Sequence, residues 1–124
     1  MEPEIYKRLI SSLQLVALPS EEQIKVLPHF VCVPEEVALT FDECYMLASA
    51  SDSASTLPPE INLLLKELDC RFEAMSGNQE FWTLEALRNK PEWASCRQLA
   101  GTALDSLDAP HVRPNLDFMT YVEG

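Results

Sequence analysis

Apolar residues recur along this chain at intervals of three and four, in segments that proline cuts short. From Glu2 to Leu18 the positions Ile5, Leu9, Ile10, Leu13, Val16 and Ala17 keep that spacing, with Pro3 tolerable in the first turn, which predicts an amphipathic helix. Pro19 stops it. Ser20, Glu21, Glu22 and Gln23 have the form of a capping box, so a short second helix is expected to run to about Leu27 and end at Pro28. The β-branched run from His29 to Val33 suits an extended segment and reads as a buried connector. Pro34, followed by Glu35 and Glu36, opens a third helix through about Ala50. The small polar residues from Ser49 to Ser55 then predict a mobile surface loop.

Pro58 and Pro59 start a fourth helix whose apolar stripe is Ile61, Leu64, Leu65, Leu68, Phe72 and Met75, and Gly77 ends it. Asn78 can cap a fifth helix carrying Phe81, Trp82, Leu84 and Leu87. Asn89 and Pro91 begin a sixth, with Trp93, Cys96, Leu99, Ala100, Ala103, Leu104 and Leu107 on one side. Both tryptophans fall at apolar positions of a helical pattern and are expected in the core; a partly exposed Trp93 would instead form a binding hot spot. The tail from Asp108 is broken by Pro110 and Pro114, yet its last stretch, LDFMTYVEG, is apolar enough to dock. The chain is therefore expected to be all-α, a compact single-domain bundle of five or six helices over residues 1–124 with a docked C-terminal tail.

Charge changes this picture from fold to function. The chain of 124 residues carries 20 acids against 9 Lys and Arg, a formal net charge of −11. No Lys or Arg occurs from Val26 to Leu65, where Glu35, Glu36, Asp42, Glu43, Asp52 and Glu60 lie. Each phosphate contact needs a protein cation, so nucleic acid and anionic membranes are disfavoured partners and basic proteins are favoured ones. A hydrophobic fraction of 47% places this acidity on a folded surface rather than a disordered tail. No apolar run reaches the roughly 18 residues of a membrane span, and the N-terminal MEPEIYKRLI lacks the basic start of a signal peptide, which together predict a cytoplasmic protein.

Helical stepping of about 100° per residue brings Glu35, Glu36, Asp42 and Glu43 into an arc of about 120° on the third helix. Val37, Ala38, Phe41, Cys44, Tyr45 and Ala48 fall on the other side and suffice as a core stripe. Leu39 and Met46 land within the acidic arc. They are expected either to lie under a neighbouring helix or to form the apolar centre of an interface that acids steer a basic partner toward. Asp52, in the loop that follows, belongs to the same candidate partner-binding surface.

Other chemistry finds little to use. Helical carboxylate metal sites repeat Glu-x-x-His on facing helices, and neither His29 nor His111 stands three residues after a glutamate. Cys32, Cys44, Cys70 and Cys96 contain no Cys-x-x-Cys pair, and three of them sit at apolar-facing helical positions, so reduced, metal-free thiols are expected. With three glycines the chain holds no nucleophile elbow and no phosphate-cradling loop. No catalytic residue, metal or cofactor is assigned.

The acidic segment VPEEVALTFDECYMLA, with LLKELDCRFEAMSG, NQEFWTLEAL and KPEWASCRQLAGTALDSL, resembles the small acidic immunity proteins of bacterial contact-dependent growth inhibition and related polymorphic toxin systems. The resemblance covers the body of the chain. It implies a non-enzymatic cytosolic inhibitor of one cognate toxin domain, often a basic nuclease, blocked at its active site or a nearby exosite. An acidic adaptor for a basic nucleic-acid-binding protein is the alternative expectation.

Overall fold

Three helices begin at the prolines that a helix tolerates best, because the missing N–H costs nothing in a first turn. They are α1 (Pro3–Ala17), α4 (Pro59–Met75) and α6 (Pro91–Ser106). With α2 (Ser20–Val26), α3 (Val33–Ala50) and α5 (Leu84–Asn89), and a 3-10 turn at Gln79–Phe81, they make up the computed structural model, which describes residues 2–50 and 57–120. Among the described residues there is no strand. Over the described residues the chain is a compact all-α domain of six helices.

The four long helices form a ring in the order α3, α1, α6, α4. α1 packs extensively against α3 and α6, α6 packs as closely against α4, and the α4–α3 side is the loosest of the four. α1 is amphipathic as expected in its first turns, where Glu4 and Lys7 are exposed and Leu9 is buried, and it becomes central in its last turns, where every residue from Ser12 to Val16 is buried. Two buried polar side chains in this stretch find carbonyl partners: Ser12 Oγ donates to Leu9 of the same helix at 2.7 Å, and Gln14 Nε2 donates to Pro110 of the distant tail at 3.0 Å. A buried polar group without such a partner costs about 1–3 kcal/mol. Leu9, Leu13, Leu15 and Val16 are fully enclosed, each contributing on the order of 1.5–3 kcal/mol through apolar burial.

Four local expectations are corrected. The capping box does not form: Pro19 occupies the N-cap of α2, and Gln23 is fully buried, with Nε2 donating at 3.0 Å to both the Leu15 and Val16 carbonyls. The side chain read as a cap for its own helix therefore serves the C-terminal carbonyls of the preceding one, which helix geometry leaves open. The connector before α3 is a surface turn in which His29, Phe30 and Cys32 are exposed, and the helix starts at Val33. It is too short to be buried without stranding its own backbone groups.

The expected fifth helix is split. Asn78 caps only the 3-10 turn, accepting from Glu80 N at 3.2 Å, and Thr83 then caps α5 by accepting from Ala86 N at 3.0 Å. Trp82 lies at the junction, half-buried, whereas Trp93 on α6 is fully buried, which removes Trp93 as an exposed hot spot. Cys70 is exposed rather than apolar-facing, because it stands two residues from both Leu68 and Phe72 and so points away from the stripe they define. Cys44 and Cys96 are buried as expected, and burial pushes each thiol up to about 11; all four cysteines are free thiols.

Gly77 follows the α4 C-cap at φ 83°, a left-handed conformation that a side chain disfavours although open space surrounds the position. The tail after α6 docks through irregular backbone rather than a strand. Pro114 is buried, Arg113 pairs with Glu22 of α2, and the Arg8 guanidinium lies 5.4 Å from the centre of the Phe118 ring.

Candidate functional site: an acidic seam between two helices

The loose side of the ring has a local cause. α3 presents Glu35, Ala38, Leu39 and Asp42 toward α4, and α4 presents Asp69, Phe72, Glu73 and Ser76 toward α3. Both sets follow the spacing i, i+3, i+4, i+7, one continuous face over two helical turns. Carboxylates stand on both walls, so closing the seam would bring like charges together at low dielectric. It stays open as a groove of about 660 Å³, ended by Asn78, Gln79 and Trp82.

An aromatic series lies behind the groove. Phe41 stacks on Tyr45 with ring centroids 5.4 Å apart, Phe72 lies 5.8 Å from Phe41, and Trp93 lies 5.7 Å from Phe72. Trp82 meets Trp93 edge to face at 5.6 Å, and each indole N–H is held, Trp82 Nε1 by the Met75 carbonyl at 3.1 Å and Trp93 Nε1 by the Phe81 carbonyl at 2.7 Å. This aromatic series fixes the groove wall from beneath.

The electrostatics of the walls are those of crowded like charges. The Asp69 carboxyl titrates above its ordinary range because of partial burial, reinforced by Asp42 across the seam and Glu73 one turn away. Glu36 is raised in the same way, by burial first and then by Glu43 and Glu35. Among the described residues the ion pairs engage Glu4, Glu21, Glu22, Glu67, Glu80 and Asp105, and none engages Glu35, Glu36, Asp42, Glu43, Asp69 or Glu73.

The residues picked from sequence divide over this surface. Glu35, Leu39 and Asp42 line the seam, while Glu36, Glu43 and Met46 stand on the rest of the exposed α3 face. Leu39 is 47% exposed and Met46 63%, so of the two alternatives drawn from the helical stepping, exposure holds and cover by another helix does not. Asp52 lies outside the described residues. Sequence reasoning missed the α4 wall of Asp69, Phe72, Glu73 and Ser76, and Trp82 at the end of the seam. The signal was present, since Asp69 and Glu73 flank the apolar Phe72 at helical spacing, but only the α3–α4 pairing gives it meaning.

Among the described residues no group of three His, Cys, Asp or Glu side chains could hold a metal ion, because the carboxylates spread along the walls instead of converging. The two histidines do not join the seam: His29 packs edge-on against Phe30 at 5.9 Å, and His111 pairs with Asp105 at 2.8 Å. Among the described residues no helix is long and apolar enough to cross a membrane. Comparison of the chain with protein-family models, with characterised proteins and with solved structures gave no match.

Proposed function

We propose that this chain is a stoichiometric inhibitor that binds one basic protein through the α3 face and the adjoining seam, and that its target is a cognate bacterial toxin with a basic nuclease domain. One observation carries the reading: six carboxylates without a cationic partner among the described residues share the α3 face and the seam with exposed Leu39 and Met46. Such a surface is costly to keep in an isolated protein and useful in a bound one. Free carboxylates accelerate encounter with a basic surface, and the apolar side chains between them supply the buried area that slows dissociation. The toxin as target follows from the likeness to immunity proteins; an adaptor for a basic nucleic-acid-binding protein would use the same surface.

The test pairs this chain with the protein encoded beside it. That protein alone should arrest bacterial growth and degrade nucleic acid, and co-expression of this chain should restore growth through a one-to-one complex whose association slows as salt rises. Growth arrest that this chain fails to relieve would refute the inhibitor reading. A basic partner that is bound but harmless by itself would favour the adaptor.

A further inference from the structure

The seam has a definite length, a definite polarity and two charged rims, and these restrict what can occupy it. We infer that it receives a short basic amphipathic helix of the partner, seated with apolar side chains on Ala38, Phe72 and Trp82 and with Arg or Lys side chains against Asp42, Asp69 and Glu73. The inference rests on the protein-binding reading above and specifies the part of the partner that enters.

Charge complementarity selects this occupant. Asp42, Asp69 and Glu73 have no cationic partner among the described residues, and burial, reinforced by Asp42 and Glu73, already raises the Asp69 carboxyl. A second copy of this chain would bring another net charge of −11 to the same rims and is repelled. A neutral apolar segment would leave the rims desolvated and unpaired, which is penalised. An inserted guanidinium or ammonium reverses both effects, since it pairs the carboxylates and removes their mutual repulsion.

Geometry selects the shape. Walls that repeat at i, i+3, i+4, i+7 on both sides match an incoming helix that offers its own side chains at the same intervals, the arrangement by which grooves between helices hold amphipathic partners. The space of about 660 Å³ corresponds to on the order of twenty waters at about 30 Å³ each, room for several side chains rather than one. Release of that water from the Ala38, Phe72 and Trp82 floor supplies the apolar part of the affinity.

Trp82 provides the readout, because it lines the seam while Trp93, the other tryptophan, is fully buried. The probes are tryptophan-free peptides of about fourteen residues, or four helical turns. One carries Leu at i, i+3, i+4 and i+7 with Arg flanking; a second replaces Leu by Ser, and a third replaces Arg by Glu. Titrated into the full chain, the Arg/Leu peptide should shift the tryptophan emission saturably to the blue, and Trp82→Phe should abolish the shift. The other two peptides should bind at least about tenfold more weakly. Asp69→Asn with Glu73→Gln should weaken the Arg/Leu peptide about tenfold, whereas Glu85→Gln with Glu92→Gln, the same change of charge away from the seam, should change it less than about twofold.

No binding of the Arg/Leu peptide, equal binding of the Arg/Ser peptide, or equal effects of the two double variants would overturn the inference. So would self-association through the seam, seen by sedimentation, that the peptide fails to reverse. Neutralisation of the toxin that persists unchanged in Asp69→Asn/Glu73→Gln would overturn the seam while leaving the inhibitor standing. Peptide binding at the seam in a chain that protects against no toxin would uphold the seam and remove the inhibitor.

Discussion

Two sides of this molecule use the same kind of residue to opposite ends. Around α2, α5 and the tail, four ion pairs tie carboxylates to cations: Glu21 with Arg88, Glu22 with both Lys25 and Arg113, and Glu80 with Lys90. The Glu21–Arg88 and Glu22–Arg113 pairs join segments 67 and 91 residues apart, so they fasten α5 and the tail onto α2. Along α3 and the facing side of α4 the carboxylates have no ion pair among the described residues and repel one another. Exposed ion pairs contribute little energy, typically under about 1 kcal/mol, so the difference is chiefly one of availability. The paired side engages its charges within its own chain, and the other side leaves them without a cation among the described residues.

The two sides also respond to acid in opposite senses. Arg88 holds the Glu21 carboxyl below its ordinary 4.5, so whatever it adds to stability is present above that value and is lost as pH falls through the lowered one. Asp69 is raised above its ordinary 3.8, so its charged form weighs against folding above the raised value, and the penalty disappears as pH falls through it.

The comparison breaks most visibly at Gln23, which joins α2 to α1 on the paired side. Gln23→Ala would leave the Leu15 and Val16 carbonyls without this donor and open a small cavity, and a loss of about 2–3 kcal/mol in denaturant unfolding is expected. A loss below about 0.5 kcal/mol would mean that water replaces the amide and that the α1 terminus needs no side-chain partner.

On the unpaired side a large change in binding should accompany a small change in stability. Leu39→Ser and Met46→Ser should each weaken partner binding by on the order of 1–2 kcal/mol, mainly through faster dissociation, with little change in Tm. A marked drop in Tm with unchanged affinity would move the binding surface elsewhere and reduce the acidic face to a solvated one.

The smallest effect sharpens the electrostatic half of the contrast. Asp69→Asn should raise stability at pH 7 by a few tenths of a kcal/mol, the magnitude left after solvent screening of a half-buried group. Its advantage over the parent should shrink as pH is lowered toward 4, because the parent carboxyl then takes up its proton in the folded state. Thermal unfolding measured across that range checks the sign: an advantage that grows toward low pH would show that Asp69 has an unrecognised cationic partner.

Much of the fold was legible because it is written locally. Prolines in first turns, Gly77 after α4, and apolar residues at helical spacing determine where the long helices lie, since each depends on neighbours a few residues away. The acidic arc of α3 was legible for the same reason, although only Glu35 and Glu43 are exposed while Glu36 and Asp42 are half-buried. What sequence could not supply was the choice of neighbours. Helical phase says which side of a helix is apolar but not which element will cover it, and that choice rests on contacts between residues far apart in the chain. So α1, whose Ser12 and Gln14 look like surface residues, became the central helix; Gln23 became a cap for another helix; and Trp82 rather than Trp93 came to border a groove. The groove itself belongs to no single segment. α3 and α4 each carry half of it, and only the packing of both around α1 and α6 sets their carboxylates face to face, too close to shut and too weakly opposed to unfold.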